Sequence, residues 1–391
     1  MNRRSLYSEL CSKRLVGQGR IRAHDDPQLF VCQLPALAPL LKRGVIHLSF
    51  HPSTPIRHPC AYNRQRNCTY TRFLRGVRLN VDQIPLLDAE YPVSVYPDGG
   101  QVESFQDTVS PTASASAIIT GDSKVILKKF PDRVFQTVVT SPPYWSLRDY
   151  NIVGQIGLEM ALPEFIQSLV EVFDEVRRTL KDDGCLWLNI GDSYTSGGRT
   201  WRAPDKKNPV RAMSVRPPTP EGLKPKDLIG VPWRLAFALQ DAGWYLRADV
   251  IWNKPNCQPE SVKDRPTRSH EYVFLLTKSE KYYYDHLAIR GINNRNLRTV
   301  WDINTQPYKE AHFATYPTRL VEPCIALTSK PGDLVLDPFF GSGTTGVAAA
   351  AMDRKFVGIE LNPEYVEIAA KRLNGRVIDE FREVENSHAE H

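Results

Sequence analysis

The chain has 391 residues, of which 41% are hydrophobic and 24% are charged, a composition typical of a globular protein. It contains no run of about 18 or more apolar residues, which excludes a transmembrane helix. The basic first residues have no apolar stretch behind them, and the seven cysteines have no regular spacing. We therefore expect a cytoplasmic protein without a secretory signal or a disulfide framework.

The formal net charge of +6 is unevenly distributed along the chain. Residues 3–78 contain 14 basic and 3 acidic residues, whereas residues 79–110 contain 6 acidic residues and no basic ones. Such asymmetry is typical either of a nucleic-acid-binding arm or of a solvated leader. Prolines recur and no long amphipathic helix is evident, so residues 1–116 are predicted to form a disordered or loosely ordered extension.

From residue 117 onwards, apolar strands alternate with amphipathic helices. Strands are predicted at residues 117–122, 134–140, 184–190, 245–252, 272–277, 334–337 and 355–359. Helices are predicted at residues 163–180, 233–242, 344–352 and 363–373. This alternation predicts an α/β domain over residues 117–374 with a parallel sheet between helices, followed by a charged tail at residues 375–391.

A Ser-Pro-Pro-Tyr sequence directly follows the predicted strand at residues 134–140. Each proline fixes its own φ and favours an extended residue before it, so this loop is stiff. Its backbone offers mainly acceptors, because proline has no N–H. A planar heterocycle with an amino group suits such a loop: the ring would stack on Tyr144, and the amine would donate to Ser141 and to a carbonyl near Pro142. Taken alone, the motif is also compatible with a structural turn.

A second motif, Asp-Pro-Phe-Phe-Gly-Ser-Gly-Thr-Thr at residues 337–345, ends one predicted strand and begins a helix. Its glycines permit a tight turn and the close approach of backbone to a ligand. Glu360 ends the next predicted strand, where an acid can bind ribose hydroxyl groups. Asp337, the glycine turn and Glu360 occur together at β-α-β spacing, which favours a cofactor site over a structural turn.

Together these motifs resemble those of the amino-group DNA methyltransferases that use S-adenosyl-L-methionine, the family of the cytosine-N4 and adenine-N6 enzymes. Residues 141–144 match the catalytic (Asp/Asn/Ser)-Pro-Pro-(Tyr/Phe) motif, and residues 337–345 match the cofactor motif. The catalytic motif comes first, as in the permuted β group, and the similarity covers about residues 118–373. It implies a class I, Rossmann-like fold: a doubly wound, mostly parallel seven-stranded sheet with an inserted DNA-recognition region.

The resemblance also implies the chemistry, which is direct methyl transfer to the exocyclic amine of a base flipped out of double-stranded DNA, with no metal ion. It implies that four residues hold and stack the base: Ser141, Pro142, Pro143 and Tyr144. It implies cofactor contacts for ten residues: Asp122, His312, Phe313, Asp337, Phe339, Gly341, Gly343, Thr344, Thr345 and Glu360. Serine at the first motif position resembles the cytosine-N4 enzymes, so cytosine N4 is favoured over adenine N6.

Two stretches between the motifs, near residues 196–226 and 278–310, are the predicted recognition insertions. The first contains eight Lys or Arg residues against two acidic ones. Such residues can neutralise phosphates, and Arg and Asn in the second stretch can contact base edges. The predicted DNA contacts are Arg199, Arg202, Lys206, Lys207, Arg211, Arg290, Arg295 and Arg298. Solvated surface loops are the alternative interpretation. The family resemblance is also compatible with a cognate restriction endonuclease as a partner.

Other functions have less support from the residues. A cytosine-C5 methyltransferase needs a cysteine nucleophile, but the Pro-Cys pairs at residues 59–60 and 323–324 do not follow a strand, and Cys324 is expected in the core. Zinc binding by Cys60 and Cys68 lacks a Cys-x-x-Cys pair. RNA and protein-glutamine methyltransferases resemble the opposite motif order. A nucleic-acid-binding protein on an inactive methyltransferase fold is disfavoured because both motifs are intact.

Overall fold

The computed structural model describes residues 93–110, 116–195, 201–203, 212–213, 215–289, 295–306, 316–373 and 376–377, all within the compact unit Tyr91–His391. The strands are β1 (Val93–Tyr96), β2 (Ser116–Thr120), β3 (Phe135–Thr140), β4 (Leu180–Ile190), β5 (Tyr245–Asn253), β6 (His270–Thr277), β7 (Val300–Asp302), β8 (Leu334–Asp337), β9 (Lys355–Glu360) and β10 (Arg376–Val377). The α-helices are α1 (Ser123–Ile126), α2 (Leu162–Thr179), α3 (Val231–Asp241), α4 (Thr318–Thr328), α5 (Thr344–Ala350) and α6 (Pro363–Arg372).

The strands form one sheet in the order β10-β1-β2-β9-β8-β3-β4-β6-β5-β7. Every neighbouring pair is parallel except the two pairs that involve β6, which runs against all the others. The seven adjacent strands from β2 to β5 correspond to the predicted mostly parallel sheet. The predicted number of seven is too low for the whole sheet, because β1 and β10 extend one edge and β7 extends the other. Strands this short carry too few residues for a clear period.

Helices cover both faces of the sheet, as in a doubly wound fold. On one face, Phe165, Leu169 and Phe173 of α2 are fully buried in a cluster that also contains Leu235 of α3. On the other face, α4, α5 and α6 pack in a second cluster. Pro163 lies in the first turn of α2, as the sequence predicts. Within the described segments, no helix has the length and apolarity needed to cross a membrane.

The predicted boundary of the N-terminal extension at residue 116 is wrong, because residues 93–110 belong to the same compact unit as the sheet. β1 pairs in parallel with β2, and its Val93 and Val95 are buried. Phe105 is only 1% exposed and packs against the rings of Tyr96 and Phe130, with centroid distances of 5.5 and 5.2 Å. Edge pairing and aromatic burial therefore tie this segment to the sheet. The predicted disorder of residues 1–92 lies outside the described residues.

Two other predicted boundaries also change. Residues 376–377 pair with β1 as β10, so the tail predicted from residue 375 starts within the sheet, whereas residues 378–391 lie outside the described part. Part of the predicted insertion at residues 278–310 is also sheet, because β7 pairs in parallel with β5. Trp301 of β7 is 6% exposed and donates from Nε1 to the carbonyl of Arg298. Burial of this indole explains why the segment joins the core.

If residues 93–110 stabilise the compact unit, Phe105→Ala should lower the free energy of unfolding by about 3–5 kcal/mol, because the cavity lies within a closed aromatic cluster. Urea unfolding of the full chain would measure this change. Val153→Ala is the matched control, since Val153 is 98% exposed and its truncation should change stability by less than about 0.5 kcal/mol. Equal unfolding midpoints for the two variants would show that this segment contributes nothing to the core.

Candidate active site

The two sequence motifs lie on neighbouring strands at one edge of the sheet. β3 and β8 pair in parallel, so Ser141, which follows β3, and Asp337, which ends β8, are at the same edge. Glu360, which ends β9, and Asp122, which lies two residues after β2, are at this edge as well. This is the carboxyl edge of a parallel sheet, where ligands of such folds bind.

A hydrogen bond between side chains joins the two motifs directly. Thr140 Oγ1, on the last residue of β3, donates to Asp337 Oδ1 over 2.6 Å. Thr345 Oγ1 donates to Asp337 Oδ2 at 2.6 Å and also lies 3.2 Å from the carbonyl oxygen of Val139. The start of the helix after the glycine turn is thereby bound to the strand that carries the catalytic loop, which we define as residues 141–147.

Asp337 braces the site rather than presenting a free carboxylate. It is 1% exposed, and besides the two threonine hydroxyls it accepts hydrogen bonds from Tyr316 Oη at 2.8 Å and from the Phe339 N–H at 3.1 Å. Burial raises the pKa of Asp337, although these hydrogen bonds oppose the increase. These contacts from separate segments give Asp337 a bracing role in the site, and the direct contact with the cofactor that the sequence predicts for it stays a prediction.

The glycine bend, residues 338–343, has open space on one side, at Gly341, and close packing on the other side, where Phe340 meets Gly358. Gly341 and Gly343 have φ values of 52° and 80°, in the left-handed region that favours glycine. A Cβ at Gly341 would meet no atom within 4 Å, so the bend is open to a ligand there. On the other side, Phe340 lies so close to the backbone of Gly358 that a Cβ would come within 2.3 Å of its ring.

The carboxylate of Glu360 accepts a hydrogen bond from the backbone of the glycine bend and another from the residue that caps α6. The Gly341 N–H donates to Glu360 Oε2 at 2.7 Å, and the Asn362 N–H donates to Oε1 at 2.8 Å. Burial raises the pKa of Glu360 to about 7, against the effect of these backbone hydrogen bonds. The carboxylate still has acceptor capacity for a hydroxyl donor. This arrangement fits the ribose contact that the resemblance implies.

The other residues expected to contact the cofactor differ in their burial, and two of them lie outside the described residues. Asp122 caps α1 by accepting from the Lys124 N–H at 2.8 Å, and its carboxylate lies at the same edge of the sheet. Phe339 is half-buried, with its ring edge-on to Phe173 at 6.4 Å. Thr344 and Thr345 are buried in the first turn of α5. Thr344 Oγ1 accepts a hydrogen bond from Arg372, and Thr345 Oγ1 donates one to Asp337. His312 and Phe313 lie outside the described residues.

The buried side chain of Trp145 anchors the catalytic loop, because its Nε1 donates to the carbonyl of Glu159 at 2.9 Å. Pro142 is buried, whereas Ser141, Pro143 and Tyr144 are partly exposed at the edge. The Ser146 N–H donates to the carbonyl of Gly157 at 2.8 Å. These contacts fix the position of the loop, and it presents the hydroxyl and the tyrosine ring that the sequence predicts.

Sequence reasoning missed a polar cluster beside this loop. Asn189 Nδ2 donates to Ser141 Oγ at 3.3 Å and to Glu271 Oε2 at 3.1 Å. Glu271 also accepts from Tyr144 Oη at 2.8 Å and forms an ion pair with Lys254. Asn189 Oδ1 is buried and accepts no hydrogen bond from the described part of the chain. The only sequence signal was the position of these residues at predicted strand ends.

The predicted DNA contacts are only partly within the described residues. Arg202 is half-buried and donates from Nη1 to the carbonyl of Leu147 at 3.1 Å, so it fastens residues 201–203 to the catalytic loop. Arg295 and Arg298 are exposed next to β7. Arg199, Lys206, Lys207, Arg211 and Arg290 lie outside the described residues. Cys324 is buried in α4, as the sequence predicts, and burial raises the pKa of its thiol.

A family profile for DNA methylases, N6_N4_Mtase, matches residues 135–371. The chain belongs to this family. Over 266 residues it is 63% identical to the Type II methyltransferase M.Cfr9I of Citrobacter freundii, covering 67% of this chain and 89% of the relative. It is also 63% identical to the Type II methyltransferase M.SmaI of Serratia marcescens over 262 residues, covering 66% and 90%. The chain is therefore a DNA methyltransferase, and DNA is its substrate.

Solved structures share the fold of this methyltransferase. The PvuII DNA methyltransferase (cytosine-N4-specific) superposes with a TM-score of 0.51 at 23% identity, covering 67% of this chain and 94% of that chain. The Thermus thermophilus protein TTHA0409, a putative DNA modification methylase in complex with S-adenosyl-L-methionine, superposes with a TM-score of 0.50 at 26% identity, covering 67% and 97%. The large, mostly parallel sheet predicted from the sequence is confirmed.

The bracing role of Asp337 makes a testable distinction in this methyltransferase. Asp337→Asn keeps the shape of the side chain but replaces one acceptor oxygen with an NH₂ donor that faces the existing donors. It should therefore lower the free energy of unfolding of the free protein by about 1–3 kcal/mol. Thermal unfolding of the free protein would measure this cost, with the exposed Asp98→Asn as the matched control. If Asp337→Asn left the stability unchanged and weakened only cofactor binding, Asp337 would be a ligand and not a brace.

Proposed function

We propose that this methyltransferase modifies the exocyclic N4 amine of cytosine in double-stranded DNA. The observation that carries the proposal is the serine of the catalytic motif. A hydroxyl oxygen has two acceptor positions, and Asn189 occupies one of them on Ser141. The other is available for the amine of a base, together with the carbonyl of Pro142. These acceptors draw the nitrogen lone pair out of conjugation with the ring and make the amine a better nucleophile.

The cofactor of the methyltransferase is S-adenosyl-L-methionine, and the open glycine bend fits it. Gly341 leaves room where any other residue would place a Cβ, and Glu360 offers lone pairs to hydroxyl groups. Phe339, Gly341 and Glu360 would hold the cofactor, with Asp122 nearby, while Asp337, Thr344 and Thr345 support the bend. When bound, the cofactor supplies a methyl group on a sulfonium sulfur.

The target base must leave the duplex to reach Ser141, because the active site cannot enclose the amine of a base that is stacked and paired inside the duplex. Tyr144 would stack on the flipped base. Asn189 Oδ1, a buried acceptor with no donor among the described residues, favours a ligand that brings N–H groups to this pocket. Adenine N6 also presents such an amine, so adenine methylation is the outcome that would contradict the cytosine assignment.

DNA contacts are proposed for both basic stretches. Residues 201–203 lie against the catalytic loop through Arg202, and Trp201 beside it is 62% exposed. Arg295 and Arg298 are exposed at the β7 edge, where they can meet phosphates. Because its relatives are Type II methyltransferases, we further propose that the protein protects DNA from a cognate restriction endonuclease in the cytoplasm.

The proposal is tested by nucleoside mass spectrometry of DNA from cells that express the protein. We expect N4-methylcytosine with the wild type. With Ser141→Ala we expect a rate lower by about 100- to 1,000-fold and nearly unchanged cofactor affinity, because only the acceptor of the amine is removed. N6-methyladenine would overturn the choice of base, and an unchanged rate for Ser141→Ala would remove Ser141 from the mechanism.

Glu360 should make cofactor binding depend on pH. The ionised carboxylate is a stronger acceptor for ribose hydroxyls than the protonated acid, so the affinity should fall as the pH is lowered through about 7. A single group of this pKa predicts a decrease of about tenfold between about pH 8 and pH 6. Calorimetric titration with S-adenosyl-L-methionine would measure it. Glu360→Gln is the control: it should bind more weakly at pH 8 and lack this decrease. The same pH profile in both proteins would assign the dependence to another group.

A further inference from the structure

Four side chains from separate parts of the chain form a polar cluster beside the catalytic loop: Tyr144, Asn189, Lys254 and Glu271. Asn189 is near the end of β4 and Lys254 directly follows β5. Glu271 is near the beginning of β6, and this strand runs antiparallel to its neighbours. The start of β6 therefore lies at the edge where the parallel strands end, which brings the glutamate to the tyrosine.

Glu271 is the centre of the cluster. Its Oε1 contacts the ammonium group of Lys254, and its Oε2 accepts from Tyr144 Oη at 2.8 Å and from Asn189 Nδ2 at 3.1 Å. Burial alone would raise the pKa of Glu271, but the charge of Lys254 and the three donors hold it below its usual value. The carboxylate is therefore ionised, and its hydrogen bond with the tyrosine is charge-assisted.

Lys254 is fixed from its other side. Its Nζ lies 4.1 Å from the ring centroid of Trp252, which is 3% exposed and donates from Nε1 to the carbonyl of Ile303 at 2.8 Å. A cation above a buried indole is attracted to the ring face. The ion pair is thus anchored in the sheet rather than held between two mobile side chains, and its side chains are only 16% and 17% exposed.

The ring of Tyr144 is restrained at a second point. A Cβ on Gly191, which directly follows β4, would lie 2.7 Å from Tyr144 Cε2. The tyrosine ring therefore packs on bare backbone at this position. Burial and the charge of Glu271 raise the pKa of Tyr144, so its phenol stays a neutral donor. One contact fixes the hydroxyl and the other fixes the ring edge.

We propose that Lys254 and Glu271 are positioning residues that hold the Tyr144 ring, through its hydroxyl, in the orientation that receives the flipped base. Tyr144, Gly191, Lys254 and Glu271 are named here the tyrosine clamp. This inference rests on the proposed function, because the base is the ligand of the tyrosine. A buried ion pair gives little net stability compared with apolar side chains of the same volume. Its value in this place lies in fixing the ring before DNA binds, which reduces the entropy cost of stacking.

A double-mutant cycle in the full-length protein tests the coupling. Tyr144→Phe removes only the hydroxyl, and Glu271→Gln removes only the charge of the acceptor. Each should lower the rate of methyl transfer by about 10- to 100-fold, since Tyr144→Phe removes the charge-assisted hydrogen bond and Glu271→Gln removes the charge that strengthens the same bond. The rate of the double variant should lie within about threefold of the rate of the slower single variant. Affinity for S-adenosyl-L-methionine should stay within about twofold of the wild type in all three variants.

Losses that multiply in the double variant would overturn the clamp, because the two residues would then act independently. Glu271→Asp provides a second variant in case Glu271→Gln does not fold. It keeps the charge next to Lys254 but withdraws the carboxylate from Tyr144. A folded Glu271→Asp protein with the wild-type transfer rate would also contradict the proposal, whereas a loss of rate at unchanged thermal stability would support it.

A readout without turnover separates this inference from the proposed function. Crystal structures of the wild type and of Glu271→Gln or Glu271→Asp should show the Tyr144 ring displaced or in several orientations in the variant. An unchanged ring would refute the clamp even if the rate falls. If the wild type transferred no methyl group to DNA, the proposed function would fail, while the ring position would still decide whether Glu271 holds the tyrosine.

Discussion

The hydrogen bond between Thr140 and Asp337 is the contact on which the active site depends. It joins the ends of β3 and β8, the two strands that carry the catalytic loop and the glycine bend. Asp337 is buried, and four donors from three segments of the chain reduce the free-energy cost of its desolvation. The two half-sites are thus parts of one hydrogen-bonded unit rather than two loops that meet by chance.

The two sides of this unit use different physical means. At the glycine bend, the backbone supplies most of the contacts, through glycines at positive φ and N–H groups that donate to the carboxylate of Glu360. At the Ser-Pro-Pro-Tyr loop, side chains supply the contacts, with Glu271 accepting hydrogen bonds from Tyr144 and Asn189. The antiparallel strand β6 makes the second arrangement feasible, because it reverses direction and brings its first residues to the active edge.

The places where prediction and structure differ have local causes. β1, β7 and β10 have four, three and two residues, too few to show a period. Helix α4 went unpredicted because Pro323 lies in its interior, where proline normally ends a helix. Its buried face, with Leu320 and Ile325, outweighs that local cost. For β1, β7 and α4, burial against the sheet decided the structure, and burial is a property of the assembled chain.

The sequence by itself determined the order of the seven central strands along the chain, the two motifs and hence the family, because each of these is written in a short run of contiguous residues. Only the tertiary structure decided the partners of those motifs. Tyr144 and Glu271 are 127 residues apart in the chain, and Thr140 and Asp337 are 197 apart. Glutamate, lysine and asparagine are ordinary at strand ends, so their role follows from the direction of the strands and the exclusion of water around them, which no local pattern encodes.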